Sequence, residues 1–303
     1  MVQDAVAGPA VPRAVMRAVF FAVSCLLGCT VLAAAGFALS IRPHRYVSSA
    51  TPTQFGWAYE GVTLRTEDDL HLAAWLIPAS NEEPGRSAVI VLHGYPYSKG
   101  DVLGITPFLH DEHDLLLLDM RYFGGSEGTI TTLGHREWRD VAAGVRFLRD
   151  RGYASVGVWG ISMGASVALI TLAHESGIDA VVADSPYSDL HEMTLDYYLR
   201  LPVMAPILAA ITDLMARAFI GVAPADVSPA RAAAATRTPI LLIHGAADRT
   251  IPVQHHERVR AGLGPNTNVQ TWLIAGAEHG QAHALDKARY QARVLDFFAQ
   301  HLR

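Results

Sequence analysis

Cysteine is nearly absent from this chain. The 303 residues include only Cys25 and Cys29, which lie in one apolar run near the N-terminus. The rest of the chain therefore has neither a disulfide framework nor a zinc site built on cysteine. Because a domain without cysteine suits oxidising and reducing compartments alike, this absence does not locate the protein.

Charge is scarce as well. Charged residues make up 17% of the sequence, and the net charge is −5 at pH 7. No basic run indicates a nucleic-acid partner, and no acidic tail indicates a charged one. Half of the residues are hydrophobic, which is enough for one large domain with a sizeable core and room for an extra segment.

One long apolar run stands out against this background. Residues 18–41 contain no charged side chain. At ~1.5 Å per residue, a helix of this length exceeds the ~30 Å hydrocarbon core of a bilayer. The run predicts a single transmembrane anchor between a tail of residues 1–17 and a polar linker of residues 42–54. Two arginines on each side leave the orientation in the membrane open.

Two alternatives remain for the apolar run. Ala33-Ala34-Ala35 resembles the cleavage site of a secretory signal peptide, although the run continues to Ile41. Leu26-Leu27-Gly28-Cys29 resembles a lipoprotein box, although a largely apolar stretch follows the cysteine. Because the run belongs to no predicted strand or helix of the remaining domain, we expect a chain without residues 1–45 to be soluble and active.

Short apolar strands alternate with helical patterns over residues 55–303. A hairpin is predicted within residues 61–77, and uniformly apolar strands at 88–92, 115–118, 156–159, 180–183, 240–243 and 269–274. Uniformly apolar strands indicate a sheet that is covered on both faces and is therefore parallel. The pattern predicts a three-layer α/β domain with an antiparallel start.

A glycine-flanked serine stands where the 156–159 strand gives way to a helical pattern. The segment is Gly160-Ile161-Ser162-Met163-Gly164. A sharp strand-to-helix turn crowds the backbone on both sides of the serine, so that only glycine fits two residues before and two residues after it. The turn would present Ser162 as a nucleophile at the positive end of the following helix.

Polar residues follow several of the predicted strands, at the edge where open parallel sheets bind ligands. His279 follows the last strand and is predicted to be the general base, since a serine hydroxyl is a weak nucleophile until a neighbour accepts its proton. Asp248 follows the preceding strand and is predicted to orient the imidazole. Asp184 remains the rival acid, and His283 the rival base.

An oxyanion hole needs two backbone N–H groups directed at the developing charge. Met163 is predicted to supply one of them from the serine turn. Tyr95 is predicted to supply the second from the loop after the 88–92 strand, because Pro96 has no N–H. His93, which begins that loop, is expected to be a structural hydrogen-bonding residue.

The interval 187–238 has no predicted strand. A long interval between strands is usually functional, so two or three helices are predicted to form a cap insertion over the strand ends. Apolar residues recur there at helical spacing. Met204, Ile207 and Leu208 belong to this stripe and are predicted to line an apolar acyl-binding site above Ser162.

Together these motifs resemble the α/β-hydrolase superfamily of serine hydrolases. The resemblance rests on the Gly160–Gly164 segment, His93-Gly94, Asp248 in a His-Gly-x-x-Asp context, and Glu278-His279-Gly280. Residues 119–128 are similar to the Asp-x-Arg-x-x-Gly-x-Ser-x-Gly loop of the esterase, acylglycerol-lipase and serine-aminopeptidase-like branches. The chain lacks the His-Gly-Gly-Gly oxyanion loop of some lipases.

The resemblance implies a mostly parallel eight-stranded sheet with a helical cap. It also implies the triad Ser162–Asp248–His279 and an oxyanion hole formed by Tyr95 and Met163. The expected protein is a membrane-anchored serine hydrolase that cleaves a carboxylic ester through an acyl-enzyme, with a thioester or an amide as alternative bonds. We expect a small-molecule acyl ester and the membrane as its partners, and no metal, cofactor or nucleic acid.

Other functions remain open at this point. A peptidase, aminopeptidase or acyltransferase could use the same triad, and a non-catalytic binding protein tethered to the membrane could share the fold. An aminopeptidase would need a carboxylate to bind the peptide N-terminus. The cap offers four candidates for that role, which are Asp189, Glu192, Asp196 and Asp213.

Overall fold

One mixed sheet forms the centre of the protein. The computed structural model describes residues 12–80, 87–199, 201–264 and 266–302. Within these ranges the strands are β1 (Glu60–Arg65), β2 (His71–Ile77), β3 (Ser87–Leu92), β4 (Asp114–Leu118), β5 (Ser155–Ile161), β6 (Ala180–Asp184), β7 (Ile240–Gly245) and β8 (Val269–Ile274). Their order is β1-β2-β4-β3-β5-β6-β7-β8. β2 is antiparallel to β1 and β4, and the other neighbours are parallel, so the predicted α/β fold is confirmed.

Helices cover both faces of this sheet. In the described part of the chain they are α1 (Arg13–Ile41), α2 (Pro107–His110), α3 (Trp138–Asp150), α4 (Met163–Thr171), α5 (Leu190–Tyr198), α6 (Ala205–Phe219), α7 (Pro229–Ala232), α8 (Gln254–Gly262), α9 (Ala282–Leu285) and α10 (Lys287–His301). Short 3-10 helices occur at Pro52–Phe55, Lys99–Ile105, Pro224–Asp226 and Ala233–Ala235. Because helices cover both faces, β3 and β4 are apolar and buried after their first residues, Ser87 and Asp114.

The register of the parallel strands brings their carboxyl ends to a common edge. Leu92 at the end of β3 lies beside Gly160 of β5 and Leu118 of β4. Further along the sheet, Asp184 at the end of β6 lies between Ile161 and Ile243. The polar residues that follow these strands therefore collect at one edge of the sheet, as open parallel sheets require of a ligand site.

The interval between β6 and β7 contains α5, α6 and α7. Asp189 begins α5 as its N-cap, accepting the Glu192 N–H at 2.9 Å. The apolar face of α6 buries Ala205, Leu208, Ala209, Thr212 and Ala216. This helix is amphipathic, but the side of it that is buried packs largely against α1 and not against the sheet.

The helix α1 is long, apolar and partly packed. It has 29 residues, and an 18-residue stretch of it has a mean hydropathy of 2.3, so by length and composition it could cross a membrane. Its first half is exposed, whereas Cys29, Ala33, Phe37 and Ile41, at four-residue spacing, are buried against the cap. Two clusters form there: Cys29 and Ala33 join Tyr198, Ala205, Leu208 and Ala209, and Phe37 and Ile41 join Ala216 and Ile220.

The segment after α1 is bound to the domain as well. The Thr131 N–H donates to the Ile41 carbonyl at 2.9 Å, and the Tyr122 hydroxyl donates to the Pro43 carbonyl at 2.6 Å. Arg45 donates to the carbonyls of Gly124 and Ser126. The last turns of α1 therefore fill part of the folded structure. That a chain without residues 1–45 is soluble and active stays a prediction.

The Arg121 guanidinium ties the antiparallel start of the sheet to its helical layer. It donates to Asp68 in the β1–β2 turn at 2.8 and 3.0 Å and to Asp140 of α3 at 2.9 and 2.7 Å. The side chains of Arg121 and Asp140 are almost completely buried. The Asp-x-Arg loop therefore has a structural function.

We predict that Arg121→Met lowers the free energy of unfolding by ~3–5 kcal/mol, because it leaves the Asp140 carboxylate buried without its counter-ion. The matched control is Arg151→Met, which removes a half-exposed pair with Glu60. Solvent screens such a pair, so its loss should change little. Thermal unfolding of the detergent-solubilised full chain tests both, and equal effects of the two substitutions would contradict this assignment.

Candidate active site

Ser162 lies on a tight turn between β5 and α4. Its backbone has φ 56° and ψ −120°, a conformation that is rare for residues with a side chain. The Ser162 N–H donates to the Asp184 carbonyl at 2.8 Å, and the Ser162 carbonyl accepts the Ser166 N–H at 3.1 Å. These two bonds hold the hydroxyl outward at the edge of the sheet.

The glycines on either side of Ser162 are needed for two different contacts. A Cβ on Gly160 would lie 2.5 Å from the Gly164 carbonyl group, as the sequence pattern predicts. A Cβ on Gly164 would instead lie 2.6 Å from the Leu92 carbonyl oxygen and 2.7 Å from that of His93. The second glycine therefore lets α4 pack against the end of β3, a contact between distant segments that the local pattern does not reveal.

The structure brings Ser162, His279 and Asp248 together. His279 Nε2 lies 2.9 Å from Ser162 Oγ, and His279 Nδ1 lies 2.6 Å from Asp248 Oδ2. The other carboxylate oxygen of Asp248 accepts the N–H groups of Thr250 and Ile251, both at 2.8 Å. Because a carboxylate accepts the Nδ1–H, the lone pair of Nε2 faces the serine hydroxyl, which is the geometry of a proton acceptor.

The side chains of Asp184 and His283, the alternative acid and base, have other partners than Ser162 and His279. The Asp184 carboxylate accepts the hydroxyls of Ser185 and Tyr290, both at 2.9 Å, and burial raises its pKa. The His283 ring stacks on Phe108 and does not reach Ser162. Asp184 therefore positions the serine turn through its backbone carbonyl, and its side chain belongs to a buried hydrogen-bond network. Sequence reasoning missed Tyr290, which no local motif marks.

His244 supports the loop that carries Asp248. Its Nε2–H donates to the Ile251 carbonyl at 2.8 Å, and the same nitrogen lies 3.6 Å from Asp248 Oδ2. Burial lowers the pKa of His244, which keeps the ring neutral beside the carboxylate. No role was predicted for His244 from the sequence, although its position in a His-Gly pair at a strand end matches that of His93.

The loop after β3 approaches the serine closely. A Cβ on Gly94 would lie 3.2 Å from Ser162 Cβ, so a larger residue would push the loop away. His93 is fully buried, lies 2.8 Å from the Gly94 carbonyl through Nδ1 and accepts the Met120 N–H at 3.2 Å through Nε2. Burial lowers the pKa of His93, so the ring can keep one donor and one acceptor. These two contacts agree with the structural hydrogen-bonding role that the sequence predicts for His93.

The two backbone donors predicted for an oxyanion hole flank this approach. Met163 is the first residue of α4, so its N–H has no partner within the helix. Tyr95 follows Gly94, the glycine that lies against Ser162. Among the described hydrogen bonds, none has the Tyr95 N–H as its donor. Both residues line the cavity that contains Ser162. Their participation in catalysis stays a prediction.

A cavity of about 780 Å³ opens above Ser162 and His279. Aromatic and aliphatic side chains dominate its walls, and they come from the β3 loop, α5 and the end of α1. They include Phe37, Tyr95, Tyr97, Leu190, Met193, Tyr197 and Tyr198. An apolar cavity with a few polar groups at one end is typical of small-molecule sites.

The predicted acyl-site residues Met204, Ile207 and Leu208 do not line this cavity, so that assignment is wrong. Leu208 is fully buried against Cys29 and Ala33 of α1, and Met204 packs at the edge of the same cluster. Ile207 is exposed on the outer face of α6. Helical periodicity identified a buried face correctly, but it did not show that α1 covers it.

Each of the four candidate carboxylates of the cap already has a hydrogen-bond or ion-pair partner. Asp189 caps α5, and Glu192 pairs with Arg258 at 3.1 Å. Asp196 lies 2.8 Å from His255 Nε2, and Asp213 lies 2.7 Å from His191 Nδ1. None of these side chains lines the cavity above Ser162. In the described ranges, no group of three or more His, Cys, Asp or Glu side chains could hold a metal ion.

Known proteins resemble this chain in sequence. A model of the prolyl oligopeptidase family matches residues 127–303, the part that contains Ser162, Asp248 and His279. The uncharacterized protein YqkD of Bacillus subtilis is 30% identical over 222 residues, which cover 70% of each chain.

Solved structures resemble it in fold. The Pyrococcus furiosus esterase Pf2001 superposes with a TM-score of 0.71 and 28% identity, covering 87% of this chain and 99% of that one. An acylaminoacyl peptidase of Pyrococcus horikoshii superposes with a TM-score of 0.61 and 16% identity, covering 81% of this chain and 42% of that one. At that identity, the second likeness concerns the fold alone.

We predict that Gly164→Ala lowers the free energy of unfolding by ~1–3 kcal/mol or more, because the new methyl group must displace the backbone at the end of β3. Gly61→Ala is the matched control, since a Cβ there meets no atom within 4 Å. Denaturant unfolding followed by circular dichroism measures both. Tolerance of alanine at residue 164 would show that the close contact with β3 is not needed.

Proposed function

Since this chain belongs to the prolyl oligopeptidase family and is a serine hydrolase of the α/β-hydrolase superfamily, we propose that it cleaves carboxylic esters of apolar acids while anchored to a membrane. The observation that carries the proposal is the arrangement of Ser162, His279 and Asp248 at the floor of a largely apolar cavity.

In the proposed reaction, Ser162 Oγ attacks the ester carbonyl while His279 Nε2 accepts the hydroxyl proton. The Asp248 carboxylate holds the imidazole and stabilises the imidazolium that forms. The N–H groups of Tyr95 and Met163 stabilise the negative oxygen of the tetrahedral intermediate. His279 then protonates the leaving alcohol, and a water molecule repeats the sequence on the acyl-enzyme to release the acid and restore Ser162.

The chemistry of the cavity favours an ester over a peptide. Binding of a peptide N-terminus would require a free carboxylate, and the cap carboxylates are paired outside the cavity. The likeness to the Pf2001 esterase supports the same choice. The family match supports a peptidase as the second candidate, because the family takes its name from an oligopeptidase.

The packing of α1 supports a retained membrane anchor. Ala33, in the segment that resembles a signal-peptide cleavage site, is completely buried against α6. Cys29, which would be the site of lipid attachment in a lipoprotein, lies in the same buried cluster. Cleavage or lipidation at these positions would disrupt a packed helix pair. The exposed first half of α1 and the packed turns up to Phe37 together supply the ~20 residues that a bilayer crossing takes.

We predict that Ser162→Ala and His279→Ala each reduce kcat by ~10⁴ or more, and that the double variant is little worse than either. The losses do not multiply because the hydroxyl and the imidazole act as one unit. Hydrolysis of p-nitrophenyl butyrate by the detergent-solubilised full chain measures kcat. Multiplying losses would contradict the pairing of the two residues.

The acid of the triad is tested separately. Asp248→Asn should reduce kcat strongly while leaving the fold intact, since the amide cannot stabilise the imidazolium. Asp184→Asn is the matched control, because it makes the same change in the neighbouring carboxylate that does not bond His279. If Asp184→Asn proved the more damaging of the two, the assignment of Asp248 would be wrong.

We also predict that medium-chain p-nitrophenyl esters have a higher kcat/KM than the acetate. Each added methylene group can contribute up to ~0.8 kcal/mol until the cavity is full. A series from acetate to dodecanoate, with aminoacyl p-nitroanilides in parallel, measures this preference. A preference for acetate would contradict the acyl site, and an aminoacyl amide that surpassed every ester would favour the peptidase.

A further inference from the structure

The last turns of α1 form a wall of the active-site cavity. Gly36, Phe37, Leu39 and Ser40 line the same space as Ser162 and His279. These residues belong to the apolar helix that is long enough to cross a membrane. The helix that anchors the proposed enzyme is therefore in direct contact with the volume where its substrate must lie.

Specific contacts fix this wall in place. The Tyr95 hydroxyl donates to the Leu39 carbonyl at 3.3 Å, which connects α1 to the loop that carries the predicted oxyanion donor. A Cβ on Gly36 would lie 3.1 Å from the Tyr198 hydroxyl, so α1 and α5 are tightly packed there. Phe37 packs against Phe219 with ring centroids 6.2 Å apart.

The length of α1 sets the depth of this wall in a bilayer. A hydrocarbon core takes about 20 helical residues. Counted from Ala18, the first residue after the charged flank, such a span ends close to Phe37. The cavity-lining residues of α1 then lie at the boundary between the acyl chains and the headgroups, which is where the ester bond of a membrane lipid is found.

The tip of the cap lies deeper in the bilayer, on the hydrocarbon side of that boundary. α1 and α6 run side by side in the same direction, because Cys29 and Ala33 share a cluster with the start of α6, and Phe37 and Ile41 share one with its end. The turn between α5 and α6 therefore lies ~12–18 Å along α1 from Ile41. This tip exposes several apolar side chains, of which Val203 is 88% exposed and the others are Tyr197, Leu199, Leu201 and Ile207.

Contact with lipid accounts for such a patch, since large exposed apolar patches mark interaction surfaces and this one continues the lipid-facing surface of α1. We propose that α1 and the α5–α6 tip form an entrance within the bilayer, through which a single-chain acyl ester passes from the lipid to Ser162. The inference rests on the proposed function and names its substrate class, an ester that resides in the membrane.

The alcohol part of this substrate is uncharged. Among the described residues, no lysine or arginine lines the cavity, so nothing there would bind a phosphate headgroup. Asp101 lines it, but its carboxylate already accepts the Ser98 N–H at 2.8 Å and hydroxyl groups from Ser98 and Tyr46. A phosphate headgroup would therefore enter without a cationic partner and beside the Asp101 carboxylate, at a cost in free energy that an uncharged alcohol avoids.

The first test changes the wall without removing the anchor. Leu39→Trp adds bulk at the rim, and Leu27→Trp makes the same change on the same helix, far from the cavity; the two leucines are 69% and 64% exposed. The full-length protein is reconstituted in vesicles of ether-linked phosphatidylcholine, which a serine esterase cannot cleave. We expect the ratio of kcat/KM for p-nitrophenyl dodecanoate to that for the butyrate to fall ~10-fold in Leu39→Trp and to be unchanged in Leu27→Trp.

The second test asks where the substrate comes from. Adding inert ether lipid at a fixed total concentration of dodecanoate ester lowers the mole fraction of ester in the bilayer. Diluting the same vesicles with buffer lowers the bulk concentration of ester and leaves its mole fraction in the bilayer unchanged. Entry from the bilayer predicts that the rate follows the mole fraction. A rate that follows the bulk concentration, or an ester ratio that is equal in the two tryptophan variants, overturns the inference.

An error in the proposed function would give a different result from an error in the membrane entrance. If the reconstituted wild type cleaved neither ester, the esterase proposal itself would be wrong. If it cleaved both, and the ratio were independent of Leu39, only the membrane entrance would be wrong. Faster cleavage of a lysophosphatidylcholine than of a monoacylglycerol with the same acyl chain would overturn the assignment of an uncharged alcohol.

Discussion

The close approach of β3, β5 and α4 at the carboxyl edge of the sheet is the constraint on which the site depends. Gly160 and Gly164 remove the atoms that would keep these backbones apart, and Gly94 does the same for the β3 loop. Ser162 can then hold a left-handed φ of 56°, a strain of ~1–3 kcal/mol that the surrounding hydrogen bonds must offset. The positions of Tyr95 and Met163 relative to the hydroxyl follow from this crowding, whereas Asp248 holds His279 from the other side of the sheet edge.

Much of the fold was predictable because its signals are local. Uniformly apolar strands marked the parallel sheet, and β8 begins and ends where the sequence predicts it. The grouping of Ser162, Asp248 and His279 followed from strand order and from the residue types that proton transfer requires. The buried bond from Tyr290 to Asp184 joins residues far apart in the sequence, on elements with no motif of their own.

The packing of the cap could not be predicted from local sequence patterns. The spacing of Met204 and Leu208 predicted a buried apolar face, but periodicity cannot tell which element covers it. In the structure α1 covers it, so a helix interpreted as a separable anchor is a packing partner of the cap. The walls of the cavity consequently come from α1 and α5, and the proposed membrane attachment and substrate binding share the residues Gly36–Ser40.

The central claim is that His279 activates Ser162 as a nucleophile. Labelling of the full-length protein by a fluorophosphonate, with the modified residue located by peptide mass spectrometry, tests it most directly. The account predicts one label, on Ser162, in the wild type, and labelling slower by ~10³ or more when His279 is replaced by alanine. Labelling of another residue, or an equal rate without the imidazole, would contradict it.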